Sequence, residues 1–305
     1  MRRSDLSFIT PLQPIMNLKT LPLAKQISFT SAALVALIVL SLVGITAWST
    51  FKAATQRTER AVSTQAEGLR QTMEIAYKLS ENSATQLADL FEKQFKGELV
   101  VDPSQMISIN AEVQGPLVTL NSNPVTGNFA IADNFTRVTG GVATVFVRTG
   151  DDYLRISTSL KKENGDRAVG TKLDRNHPGY AKVIQGETYV GEAMLFGKRY
   201  MSKYLPIKSS DGKHDLILFI GFDMTQLFAD VQNAVLNTRI GETGVPYVLY
   251  TKGTATNKVM IHPTLKGDEF KELATSQPDL QALLDKIGKE DSGMTQVSWT
   301  DPANG

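Results

Sequence analysis

The run Tyr153–Leu160 places an arginine where its chemistry has to be accounted for. Leu154, Ile156, Thr158 and Leu160 alternate on one face; Tyr153, Arg155, Ser157 and Ser159 occupy the other. The first face asks for a core to pack on. The second either meets water, with Arg155 pairing a local acid, or lines a site that wants a fixed positive charge. A guanidinium offers parallel donors that grip a carboxylate with two hydrogen bonds. Ser157 on the same face adds a hydroxyl. Phe146, on the preceding β-rich run Val142–Arg148, either walls the same side or packs in the core. Tyr200, Ser202 and Tyr204 alternate on a strand face opposite Met201 and Leu205. Buried tyrosines usually find a polar partner, so a pocket wall and a satisfied core both fit Tyr200 and Tyr204. Lys198 and Arg199 read as strand-end residues in water.

Other chemistries lack their residues. His177, His214 and His262 are far apart, and no pair has metal-ligand spacing. His177 and His262 each precede proline, a turn setting. With no cysteine, disulfides, thiolate metal sites and cysteine nucleophiles are excluded. No G-x-S-x-G occurs, and "GETG" at Gly241–Gly244 reads as a turn, not a phosphate cradle. The expectation is a non-enzyme with no catalytic residues, no metal and no cofactor. The net charge of +1, without a basic block, gives no reason to expect nucleic acid.

The elements that would position these residues follow from pattern. The 305 residues, 42% hydrophobic and 21% charged, have globular composition. Ile27–Trp48 carries no charge and is long enough for a membrane, since about 20 helical residues cross ~30 Å of hydrocarbon. Its length and 26-residue leader favour a retained transmembrane helix over a cleaved signal peptide. Arg2, Arg3, Lys19 and Lys25 precede it against Asp5 alone, so the N-terminus (1–26) is expected in the cytoplasm and everything after Trp48 outside.

Residues 49–97 hold no proline until after Gly97 and carry apolar residues at helical spacing, from Ala61 and Leu69 to Phe91 and Phe95. One long helix, about 70 Å, is expected there, stopping at Gly97 and packing on its own domain, a second copy, or both. Beyond it come "GELVVDPSQMISIN" and "VQGPLVTLNSNPVTG", short and β-rich. "ADNFTRVTGG" reads as a loop. Val142–Arg148 and the Tyr153 run form a hairpin round Thr149–Asp152. "NHPGYAKVIQG" is a short helix, Tyr189–Ile207 one or two strands, and Leu216–Met224 a central strand covered on both faces.

Asp223, three residues before Gln226, looks like an N-cap box opening an amphipathic helix. Two strands around "YTKGTATNKV", a helix near Gln277–Lys286 and a last strand "GMTQVSW" follow. The fold class is α+β, with 98–222 and 223–305 as two tandem modules. No second hydrophobic span follows. The chain stops at "TDPANG" straight after that strand, so the second module is expected to be truncated and the whole to be part of a longer protein.

The stretch "ATVFVRTGDDYLRISTSLKKENGDRAVGTKLD", then "HPGYAKVIQGETYVGEAMLFGKRYMSKYLPI" and "LILFIGFDM", resembles the extracytoplasmic sensor domain of bacterial methyl-accepting chemotaxis proteins, of the fused Cache 3 and Cache 2 type. "GVPYVLYTKGTATNKVMIHPTLKG" is similar to the strand–turn–strand ending in His-Pro that recurs in Cache modules. The resemblance implies a PAS-like antiparallel sheet packed on the long helix, with a pocket between the sheet and the segments covering it. It implies a small carboxylate or amino acid as ligand, with Arg155, Ser157, Phe146, Tyr200 and Tyr204 as the candidate ligand-binding residues. It further implies an inner-membrane homodimer with a periplasmic sensor, which reaches a kinase only through a signalling region absent from this sequence. The same sensor on a histidine kinase or diguanylate cyclase is the alternative; a pilin-like subunit lacks its leader glycine and early glutamate, and a membrane-anchored enzyme lacks a catalytic constellation.

Overall fold

The computed structural model describes residues 22–213, 215–240, 244–251, 256–290, 293 and 295–300. The expected cytoplasmic N-terminus up to residue 21, His214, most of "GETG", the 252–255 turn and the final "DPANG" lie outside the described residues.

α1 (Leu23–Glu92) is a single helix, and the chain divides into two compact units, Met1–Thr64 and Gln65–Gly305. Between Ile27 and Trp48 the helix carries no charged residue on any side. Leu37, Leu40 and Ile45 are more than half exposed, and the segment is long and apolar enough to cross a membrane. Its hydroxyls are satisfied internally: Ser41 and Thr46 donate back to the carbonyls of Leu37 and Leu42. In the second unit the helix is amphipathic. Glu67, Arg70, Glu74 and Lys78 form an exposed ion ladder, while Ser80, Ala84, Ala88 and Phe91 are buried. This stripe joins the same core cluster as the sheet residues Val145, Leu218 and Ile220. A 3₁₀ turn, Lys93–Phe95, ends it at Gly97, whose φ of +142° no L side chain adopts readily.

β1 (Leu99–Ser108), β2 (Gln114–Leu120) and β3 (Asn123–Pro124) make a small antiparallel sheet. α2 (Ala130–Thr139) follows, where the sequence reads as a loop. The polar residues that suggest a loop, Asp133 and Asn134, are on its exposed face. Gly140 closes the helix at φ +75°, and Ala132 and Phe135 point into the core.

The main sheet comprises β4 (Val142–Thr149), β5 (Asp152–Thr158), β6 (Tyr189–Leu195), β7 (Lys198–Ile207) and β8 (Leu216–Asp223), with α3 (Tyr180–Val183) between β5 and β6. Its order is β5-β4-β8-β7-β6, antiparallel throughout. The β4–β5 hairpin pairs Thr149 with Asp152, and β8 is central and covered on both faces, both as the pattern predicts.

After β8 come α4 (Thr225–Asn237), β9 (Val248–Leu249), β10 (Val259–Ile261), α5 (Glu269–Ser276) and α6 (Pro278–Ile287). The expected cap box at Asp223 is not formed. Asp223 accepts the Thr225 N–H, but Gln226 turns away to Asp230. The expected last strand is also absent among the described residues. The Gln277 side chain grips both the N–H and the carbonyl of Thr300, and Trp299 packs edge-on against Phe270 at 5.7 Å. These contacts hold the tail against α5 and α6 instead of in a sheet.

Candidate functional site

β5 is an edge strand, and its free edge is covered by the segment Ala168–Leu173. Arg155 N–H donates to the Thr171 carbonyl, Gly170 N–H to the Arg155 carbonyl, and Leu173 N–H to the Tyr153 carbonyl, each at 2.9 Å. Gly170 turns at φ +79°, and a Cβ there would meet the Asn110 side chain at 2.7 Å, so glycine is required for this approach. The chain then folds over the sheet. Asp152 anchors it, accepting from Lys172 and Arg175 at 2.7 Å each, and the two cations hold its carboxyl below the usual range. Tyr180 ties α3 down through a 2.7 Å hydrogen bond to the Asp151 carbonyl.

Beneath this cover lies a cavity of about 290 Å³. Arg155 and Tyr204 come to it from β5 and β7, Thr171, Asp174 and His177 from the cover, and Phe196 from the β6–β7 turn. Arg155 is only 5% exposed, which overturns the reading in which it meets water. Nη1 donates to the Ala168 carbonyl and the Thr171 hydroxyl, and Nε is buried without a partner. Phe146 lies 4.9 Å from the guanidinium carbon and Phe196 6.0 Å. Among the described residues no carboxylate pairs with Arg155. Burial pulls its pKa down to about 10, against the opposing influence of Tyr204, so it stays charged at neutral pH. A buried charge is normally paired, and this one is not.

Around the guanidinium stands a ring cluster. His177 lies 5.3 Å from Tyr189 and 5.0 Å from Tyr204, which lies 4.7 Å from Phe219. Burial raises the Tyr204 pKa, with Arg155 opposing. His177 Nδ1 accepts the Gly179 N–H at 3.1 Å, and Nε2 is buried with no partner. Burial lowers its pKa. Asp174 opposes that shift, as does the Glu192 backbone carbonyl, which lies outside hydrogen-bonding geometry.

Of the residues expected to bind, Arg155 and Tyr204 reach the cavity, with Phe146 directly under the guanidinium. Tyr200 packs instead with Leu160 and Ala168, where burial and then Asp223 push its pKa up to about 12. Ser157 is on the opposite side, donating to the Asn128 carbonyl at 2.6 Å. The cause is a β-bulge. Arg155 pairs with Phe146 but Ser157 with Val145, so Ile156 is an extra residue and the alternation slips. Thr158 and Leu160 thereby leave the face of Leu154 and Ile156, and Ser159 turns to Thr136 on α2. Arg199 is not a strand-end residue in water. It pairs with Glu192 at 2.6 Å, donates to the Tyr250 hydroxyl at 2.8 Å and stacks on Phe228 at 4.2 Å. His177 and Thr171 were missed as cavity residues; their one signal is position in the Gly- and Pro-marked connection between β5 and β6.

Residues 47–305 match the family model described as the Cache 3/Cache 2 fusion domain. No curated protein matches the chain. Among solved structures, the sensory domain of the Campylobacter jejuni chemoreceptor Tlp3 (CcmL) shares 14% identity over 72% of this chain and 84% of its own, at a TM-score of 0.33. The Tlp3 ligand-binding domain in complex with L-valine shares 13% over the same proportions, also at 0.33. Likenesses this distant carry no argument about the site.

Proposed function

Because the chain belongs to the Cache 3/Cache 2 fusion domain family, we propose that it is the ligand-sensing part of a transmembrane chemoreceptor and binds a small carboxylate or amino acid in the cavity beside Arg155. The supporting observation is that guanidinium: buried, charged, walled by rings and unpaired by any carboxylate among the described residues. Its empty partner position is where a ligand carboxylate belongs. Arg155 and Tyr204 make the direct contacts, Phe146 supports the guanidinium from below, and Tyr200 and Ser157 shape the strands.

The N-terminal helix serves as the membrane anchor, with its leader in the cytoplasm and the sensor in the periplasm. Ligand acts by its differential affinity for two arrangements of the sensor, and α1 carries the difference towards the membrane, in a homodimer. The two tandem modules divide near residue 223. Titration of the full chain in detergent against a panel of organic acids and amino acids tests the reading. Heat and a raised thermal midpoint with at least one carboxylate, both lost in Arg155→Met, are expected; silence across the whole panel sinks it.

A further inference from the structure

The cavity wall has a polar side and an apolar side. The cover supplies polar groups, among them Thr171, Asp174 and His177, whereas the β6–β7 hairpin supplies Met194, Leu195 and Phe196 in succession. A ligand held by Arg155 therefore has the cover for its polar groups, an ammonium on Asp174 included, and the hairpin for its carbon.

The tip of that hairpin carries a residue that its turn disfavours. Two residues, Phe196 and Gly197, join β6 to β7 between the paired Leu195 and Lys198. Both have positive φ, +50° and +77°, the mark of a type I′ turn, which favours Asn, Asp or Gly at its first position. A bulky side chain is crowded by the backbone there. The β2–β3 turn has the favoured chemistry, Asn121 and Ser122 at +50° and +66°. The remaining non-glycine residue with positive φ among the described residues is Asn257. Phe196 is the aromatic exception, and outliers of this kind gather at functional sites. Its ring is not needed to hold the guanidinium: it lies at the 6.0 Å limit of that interaction, where Phe146 stands at 4.9 Å. Half-buried, Phe196 packs on Leu160, Ala168 and Tyr200 and lines the cavity. Its neighbours Met194, Gly197 and Lys198 are exposed, and Arg155 inside is not.

Resting on the carboxylate reading above, we propose that Phe196 determines specificity for ligand length: its ring closes the hairpin end of the cavity and stops a carbon chain that starts at Arg155. The site then takes short-chain acids, as a space of about 290 Å³, at the small end of ligand pockets, requires. The turn keeps an unfavourable residue because Asn or Gly, which suit the backbone, would leave that end open.

A chain-length series decides this. Straight-chain carboxylates from acetate to octanoate are titrated calorimetrically into the full chain in detergent, against a protein-free detergent blank. Where the broad panel selects an amino acid, the series runs from glycine to norleucine. Wild-type affinity should rise about fourfold per buried methylene. It should then drop by about tenfold or more at the first chain that meets the ring. Phe196→Gly suits the turn and opens the end. It should move that limit to acids about two carbons longer and leave the shorter acids within about twofold. Ser122→Gly makes the same change in the β2–β3 turn, away from the cavity, and should leave the whole series unchanged. Three results overturn the proposal and leave the carboxylate reading standing: no length limit in wild type, a limit that Phe196→Gly does not move, or a limit that Ser122→Gly moves as well. An equal loss at every length in Phe196→Gly also overturns it, since the ring would then serve the guanidinium or the packing. Should no carboxylate bind at all, the carboxylate reading fails and this proposal with it. If Phe196→Gly does not fold, Phe196→Leu, shorter but still apolar, should move the limit the same way by about one carbon, and an unmoved limit overturns the proposal.

Discussion

On the α1 side of the five-stranded sheet, Phe91 lies 5.1 Å from Phe95 and 5.0 Å from Phe135, over Val145, Val147, Leu218 and Ile220. On the other side, among the described residues, Arg155 Nε is buried without a partner under a cover whose His177 Nε2 is likewise unpartnered, and the buried Tyr204 ring packs beside them. The first face is closed by packing, which is non-directional and complete. The second is enclosed but leaves buried polar atoms unpaired, which is the feature the proposed function rests on. If that proposal holds, one sheet separates the source of stability from the source of specificity, and each face should respond to a different kind of change.

The largest effect belongs to the packed face. Phe91→Ala leaves a void between α1, α2 and the sheet and should cost about 3–5 kcal/mol in a denaturant titration. Affinity for a carboxylate, measured on the folded fraction, should stay within about twofold, because the change lies across the sheet from Arg155. A large loss of affinity in folded protein would mean that the faces are not independent.

Arg155→Met should do the reverse. A buried charge without a counter-charge costs desolvation that a methionine of similar length does not. Ligand-free stability should be unchanged within about 1 kcal/mol or raised, while carboxylate affinity falls by about 2–5 kcal/mol. Paired thermal and calorimetric titrations of the variant read both. A strongly destabilised Arg155→Met would identify the guanidinium as a structural tie to Ala168 and Thr171 instead.

Much of the packed face was legible because its signals are local and periodic. The helical stripe through Ala84, Ala88 and Phe91, the apolar run of β8 and the β4–β5 hairpin all follow from spacing. On the other face, two-residue periodicity set Arg155 opposite Leu154 and Ile156 and Tyr204 opposite Met201, as the structure has them, but left water and a pocket both open for Arg155. It failed at Ser157, because one bulged residue, Ile156, inverts every later side chain, and nothing in the residue types marks the bulge. It failed again at His177, whose place in the cavity comes from a cover tied down by Asp152 and Tyr180 across more than 20 residues of chain. α2 was misread for a third reason: its Asp133 and Asn134 lie on the exposed face of a helix, and composition alone does not distinguish that use from a loop.

The smallest predicted effect sharpens the comparison through pH. Burial holds the His177 pKa below its ordinary 6.5 in the folded protein, against the pull of Asp174. In the unfolded chain it titrates near the ordinary value. Above that pH both states are neutral, and the group contributes no pH dependence. As the pH falls below it, the unfolded state takes up a proton that the folded state resists, so stability declines until the pH passes the folded pKa. Protonation would also put a hydrogen on Nδ1 facing the Gly179 N–H, so the cost falls on the cover of the site and not on the α1 face. Chemical denaturation of wild type and His177→Phe between pH 8 and pH 5 should therefore diverge, wild type losing more stability on the acid side. Parallel curves would show that the imidazole is open enough to titrate normally. The site face would then be less enclosed than its unpaired donors require.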